Sequence, residues 1–220
     1  MPRVAVCLSG CGVFDGSEIH EAVLTMLALD QAGADIVCCA PNVEQAVVMD
    51  HLTRSPAGGQ SRNVLVESAR IARGNIVDLA GVKASQIDAL IFPGGFGAAK
   101  NLCNFADVGP ECSVHPQVER LVGEMLEAGK PIGAICIAPA MLARIVGRRD
   151  MHPRMTIGTD ESTASAMEKM GVRHQDCPCE SFVVDEAHKI VTTPAYMLGK
   201  GPAQVFEGIR RLVGEILRLA

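Results

Sequence analysis

A short apolar run, Ile132-Gly133-Ala134-Ile135, is entered through Lys130-Pro131 and left through Cys136-Ile137-Ala138-Pro139. A helix-hostile Lys-Pro at its head, and a proline just inside the Ala/Leu/Ile series that follows, read as a buried strand turning sharply into a helix. Cys136 sits at the turn. A thiol there faces the crevice beyond the carboxyl end of a parallel strand, beside the free N–H groups that open the next helix. Those partial positive charges favour thiolate, the form that attacks carbonyl carbon. A buried, inert cysteine is the competing account, and position alone does not separate the two.

The same strand, loop and helix pattern recurs along the chain. Residues 4–8 form an apolar run ended by Ser9-Gly10-Cys11-Gly12. Ser17 is placed to cap a helix over 19–32 in which Ile19, Ala22, Val23, Met26 and Leu27 share the inward side and Gly33 is the stop. A strand over 35–40 follows, with Cys38 and Cys39 on opposite faces. A polar section with Gly58-Gly59 leads to a helix over 63–72, in which Val64, Ser68 and Ile71 share a face. The next strand, 87–92, breaks at Pro93-Gly94-Gly95, where adjacent glycines allow backbone N–H groups to point outward. An amphipathic helix over 117–128 delivers the chain to the Cys136 strand.

Beyond the elbow, the pattern predicts a strand over 155–158, a helix over 162–170, a hairpin pairing 181–185 with 189–193, and a closing helix opened by Pro202. Alternating strands and helices imply a three-layer α/β sandwich, with a mostly parallel, flavodoxin-like sheet and one antiparallel hairpin. No linker, repeat or low-complexity tract divides residues 1–220, so a single domain is expected.

Composition narrows the partners. A net charge of −5 with scattered Lys and Arg argues against nucleic acid or an anionic membrane as the main partner. No apolar run is long enough to span a bilayer, and the N-terminus enters a strand pattern without a signal-peptide layout, which points to the cytoplasm. The 9 cysteines are odd in number and irregularly spaced, so reduced thiols are the default.

In such a fold the crevice collects the loop after residue 8, the loop after Phe92 and the Cys136 elbow. Glu18 and Glu21 fall in the first helical turn after the first loop. A carboxyl aimed at a thiolate has a raised pKa and can stay protonated to shuttle a proton, although acids favour helix N-termini in any case. Gly95 and the N–H of Ile137 are candidate oxyanion donors. His20 lies between the two acids, and Cys11 is a candidate disulfide partner for Cys136. His174, Cys177 and Cys179 lack a fourth ligand, so no metal is expected. The glycine loops fit neither a phosphate-binding nor a dinucleotide fingerprint.

Taken together, Pro93-Gly94-Gly95, Ala134-Ile135-Cys136 followed by Ala138-Pro139, and Glu21 in the first helix resemble the DJ-1/PfpI superfamily, whose fold is class I glutamine amidotransferase-like. The blocks from Ser9 to Glu21, from Phe96 to Leu102 and from Thr192 to Met197 are similar to its ElbB branch. That resemblance implies a cofactor-independent glyoxalase, converting a small dicarbonyl, glyoxal, to glycolate, or the related deglycase chemistry on glycated amines. It also implies a homodimer. Cys136 matches the nucleophile, Glu21 the neighbouring carboxyl with Glu18 one turn earlier, and Gly95 and Ile137 the oxyanion donors. The triad histidine of fuller members is missing: Ile137 and the stretch 156–159 stand where it would be, which disfavours glutamine hydrolysis and predicts slow turnover. A non-enzymatic alternative is a redox-sensing or chaperone-like protein whose Cys136 is oxidised to a sulfinic acid beside Glu21.

Overall fold

The computed structural model describes residues 1–220. Strand β1 (Arg3–Cys7) leads through a glycine loop into helix α1 (Ile19–Gln31), and β2 (Asp35–Ala40) returns beside β1. A small ribbon of β3 (Met49–Asp50) and β4 (Ser55–Pro56) occupies the polar section ahead of α2 (Val64–Ile71), whose N-cap is Asn63. Two-residue β5 (Val77–Asp78) edges the sheet, and β6 (Ala89–Phe92) lies on the other side of β1. Short helices α3 (Phe96–Lys100) and α4 (Phe105–Val108) follow, then α5 (Pro116–Glu127), β7 (Ile132–Ile135) and α6 (Ala138–Gly147). The last part comprises β8 (Arg154–Met155), α7 (Glu161–Lys169), β9 (Arg173–His174), β10 (Val183–Asp185), β11 (Ile190–Thr193) and α8 (Pro202–Leu219).

One sheet of 7 strands, in the order β10-β11-β7-β6-β1-β2-β5, collects both halves of the chain, and only β10 runs antiparallel. Side chains alternate across it. Val4 and Val6 pack with Ala22, Leu29 and the apolar stripe Val205, Ile209, Leu212 and Ile216 of α8. Ala5 and Cys7 pack on the opposite face with Leu121 and Met125 of α5 and Met141 and Ile145 of α6. Each large aliphatic side chain buried this way contributes about 1.5–3 kcal/mol. The result is the expected three-layer α/β sandwich, with Cys38 and Cys39 divided between its two cores.

Several local expectations are corrected. The strand expected over 155–158 is confined to β8, which pairs with β9 outside the main sheet. Ser17 does not cap α1: it is buried, its Oγ accepts from Ser9 N at 2.8 Å, and the Glu18 carboxylate caps the helix by accepting from Glu21 N at 2.7 Å. The buried face of α1 is also rotated from the one expected. Glu21, Ala22, Thr25, Ala28 and Leu29 are inward, while Ile19, Val23 and Leu27 are 43%, 44% and 39% exposed.

That rotation positions the site. The topology reverses between β1 and β6, where ligands bind beyond the strand carboxyl ends in open α/β sheets. Turning Glu21 inward rather than Val23 brings a carboxyl into this crevice.

Candidate active site

Cys136 follows the last residue of β7 and adopts φ = 60°, a left-handed conformation that a non-glycine residue holds only when its surroundings impose it. Its N–H donates to Thr193 O at 3.0 Å, and Pro139 locks the first turn of α6 immediately behind it. The sharp strand-to-helix turn lifts the side chain out of the sheet, as in a nucleophile elbow. The backbone N–H groups of Gly95 and Ile137 face the sulfur.

Glu21 is completely buried. One carboxyl oxygen accepts from Gly94 N at 3.0 Å and the other from Tyr196 N at 3.1 Å. Burial pushes its pKa from the ordinary 4.5 up to about 8, and the charge of Glu18 adds to the rise. The Tyr196 and Gly94 N–H groups and the Cys136 thiol oppose the rise without cancelling it. Gly94 lets this acid and the thiol meet: a Cβ there would collide with Cys136 Cβ and stand 2.6 Å from Glu21 Oε2. Gly95 takes φ = 94°, and an added Cβ would strike the backbone of Gly16 and Glu18.

The thiol departs from expectation. Burial pushes Cys136 well above the ordinary thiol value, the Glu21 carboxylate pushes it further, and the N–H groups of Gly95 and Ile137 only partly counteract them. The helix N-terminus therefore does not produce a standing thiolate. At neutral pH the pair holds both protons, and the first is lost from the pair near pH 8, leaving one negative charge for two adjacent groups.

A cavity of about 390 Å³ opens over the pair, with Cys136, Ile137, Gly95, Glu18 and Tyr196 in its wall. Glu18 thus both caps α1 and borders the chamber. His20 does not line it, but its Nδ1 is hydrogen-bonded to the Tyr196 hydroxyl at 2.8 Å, so the histidine reaches the site through the tyrosine. Tyr196 was missed by sequence reasoning. As the lone tyrosine, in the block from Thr192 to Met197, it had signal enough to be singled out.

Cys11 is not brought to Cys136. It is outside the chamber wall, and Glu67, Arg70 and Asp15 supply the charges around it. His174, Cys177 and Cys179 turn to separate partners: His174 Nε2 accepts from Ile157 N, while the thiols donate to Pro178 O and Ala195 O. No histidine borders the chamber, so the missing triad histidine has no replacement in its wall.

A family model described as the DJ-1/PfpI family matches residues 6–196. The chain is 45% identical over 226 residues to glutamine amidotransferase-like class 1 domain-containing protein 3, mitochondrial, of Homo sapiens, covering 99% of this chain and 83% of that protein. It is 35% identical over 231 residues to ES1 protein, mitochondrial, of Danio rerio, covering 99% and 86%. Among solved structures, an isoprenoid biosynthesis protein with amidotransferase-like domain from Ehrlichia chaffeensis superposes with a TM-score of 0.92 at 40% identity, covering 100% of this chain and 99% of that one. DJ-1beta of Drosophila melanogaster superposes with a TM-score of 0.59 at 18% identity, covering 100% and 95%, a likeness of fold.

Proposed function

The chain belongs to the DJ-1/PfpI family, with its class I glutamine amidotransferase-like fold, and from that premise we propose that it is a cofactor-independent glyoxalase, slowly converting glyoxal to glycolate. The observation that carries this reading is Glu21: a fully buried carboxyl beside the elbow thiol, with a pKa near 8, holds a transferable proton at neutral pH.

Once the pair has lost one proton, Cys136 Sγ adds to one aldehyde carbon. The carbonyl electron pair moves to oxygen, which the N–H groups of Gly95 and Ile137 stabilise. Glu21 protonates that oxygen, giving a hemithioacetal. As carboxylate, Glu21 then takes the proton from the carbon bonded to sulfur and returns a proton to the neighbouring carbon, while the hydroxyl proton passes between the two oxygens. The product is a hydroxyacetyl thioester. Water adds to it and expels the thiol, so glyoxal plus water gives glycolic acid. No histidine adjoins the pair to share these transfers, which accounts for the slow turnover proposed.

Deglycase activity on glycated amines uses the same groups and is the related reading. Redox sensing is less well supported, because a peroxide-sensing cysteine needs thiolate character and access, and burial and Glu21 push Cys136 the other way. We further propose that the chain works as a single domain and as a homodimer. The exposed Ile19, Val23 and Leu27 stripe on α1 supports the dimer, and sedimentation of a Val23→Glu variant tests it. A cytoplasmic location, proposed from sequence, is supported by 9 cysteines without a disulfide, whereas the relatives above are named mitochondrial. No helix is long and apolar enough to cross a membrane.

Glycolate formation from glyoxal by the reduced protein tests the enzyme reading. Saturable turnover, lost in both Cys136→Ser and Glu21→Gln, is expected. Turnover equally fast in either variant contradicts it.

A further inference from the structure

The chamber over Cys136 is built for something larger than glyoxal. At about 390 Å³ it lies in the range of sites that enclose whole organic ligands, whereas glyoxal is two carbonyl groups with nothing attached. Its wall is formed by Val13, Phe96, Ala99, Phe105, Ile137 and Met197, and is polar only at Glu18, Thr163 and Tyr196. Phe96 is 46% exposed, so in the free protein a large aromatic side chain borders open space. No lysine, arginine or histidine borders the chamber, and Glu18 is its one acid. A carboxylate or phosphate on a substrate would be desolvated there without a partner. Glyoxal alone would leave the apolar wall wet and draw no binding energy from it.

Resting on the glyoxalase reading, we infer that the preferred substrate is an uncharged α-oxoaldehyde carrying an aryl or alkyl group. The aldehyde carbon meets Cys136 Sγ, and the hydrocarbon group fills the space between Phe96, Phe105 and Met197. The chemistry balances as it does for glyoxal. Sulfur adds to the aldehyde, a proton moves from that carbon to the adjacent keto carbon, and water cleaves the thioester, giving a 2-hydroxy acid with no external oxidant or reductant. Negatively charged oxoaldehydes are excluded by the wall and by Glu18. Burying the hydrocarbon group against such a wall is worth about 10- to 100-fold in kcat/KM.

The test compares glyoxal, methylglyoxal and phenylglyoxal as substrates of the full chain, measuring glycolate, lactate and mandelate, with Cys136→Ser as the blank. The expected order is phenylglyoxal above methylglyoxal above glyoxal, with at least tenfold between the ends and most of it in KM. Two variants narrow the chamber: Ala99→Leu at a buried position and Ala106→Leu at an exposed one, the second guarding against misfolding of the first. Each should lower the ratio of phenylglyoxal to glyoxal specificity constants at least tenfold. Glyoxal turned over as efficiently as phenylglyoxal, or a ratio unmoved in a folded variant, overturns the inference and leaves the glyoxalase reading standing. If no dicarbonyl is consumed, the glyoxalase reading fails, and the chamber is then tested through protection of Cys136 from iodoacetamide. Benzaldehyde protecting at least tenfold better than acetaldehyde supports the preference for hydrocarbon, and equal protection overturns it.

Discussion

Two buried acids, Glu21 behind the elbow and Asp185 at the end of β10, are held in opposite ways. For Asp185, burial is again the largest influence and pushes its pKa up, but Arg154 N at 2.9 Å, His188 N at 3.0 Å and His188 Nδ1 at 2.8 Å outweigh it and hold the carboxyl below its ordinary 3.8. Glu21 receives only two neutral backbone donors, and burial prevails, raising it to about 8. The hairpin acid is fully partnered and strengthens the fold as an anion. The elbow acid is left short of partners and keeps its proton. This is how the same chain makes one carboxylate structural and another reactive.

Replacing Glu21 by Gln is the largest way to break that contrast. Turnover should fall about 10²- to 10⁴-fold, the usual contribution of a positioned acid–base group. Stability should respond as well. A group raised from 4.5 to about 8 contributes fully below 4.5, and that contribution is lost as the pH rises through 8. Wild type should therefore lose stability across that window, and Glu21→Gln should flatten the loss, gaining on the order of a few kcal/mol over wild type at pH 9. Urea titrations at several pH values would show it, and parallel curves for the two proteins would contradict it.

Gly94→Ala comes next. The added methyl forces the carboxyl and thiol apart, and a misplacement of that kind costs about 10²-fold in kcat/KM. Undiminished kcat/KM would show that their close approach is unimportant.

Asp185→Asn sharpens the contrast from the other side. It should cost about 1–3 kcal/mol at neutral pH while leaving the kcat/KM for glyoxal within about threefold. Because the folded pKa is depressed, the carboxylate's contribution is present above 3.8 and lost as the pH falls through the folded value. Denaturation of wild type and variant should converge in acid.

The smallest effect belongs to Tyr196→Phe, which removes the hydroxyl bonded to His20 but keeps the backbone N–H that holds Glu21. A loss of about 1 kcal/mol is expected, with the alkaline limb of the kcat/KM profile unmoved. A displaced limb would mean that the His20 and Tyr196 pair sets the protonation of the site.

The elbow and the sheet were legible in the sequence because both depend on short-range signals. The run from Ile132 to Ile135 is too short for a helix and is closed by Cys136 and Pro139. The strands over 35–40 and 190–193 are apolar and sharply bounded. The face of α1 was not legible, because alanine and threonine fill the buried side while Ile19, Val23 and Leu27 are left exposed. Hydrophobic spacing cannot reveal that a carboxyl is the residue turned inward when its partners, Gly94 and Tyr196, lie far along the chain. The position of Glu21 came from family resemblance, and the state of Cys136 was misjudged for the same reason: the helix N-terminus is local, but the burial and the facing carboxylate that outweigh it are tertiary.

Infrared difference spectroscopy between wild type and Glu21→Gln tests the central claim most directly, because the carbonyl stretch of a protonated carboxyl is separate from that of a carboxylate. A buried Glu21 that keeps its proton predicts a protonated-carboxyl band at pH 7, absent from the variant and disappearing with a midpoint of about 8. A wild-type spectrum with no such band at pH 7 would show an ionised Glu21 with no proton to give, and would contradict the account.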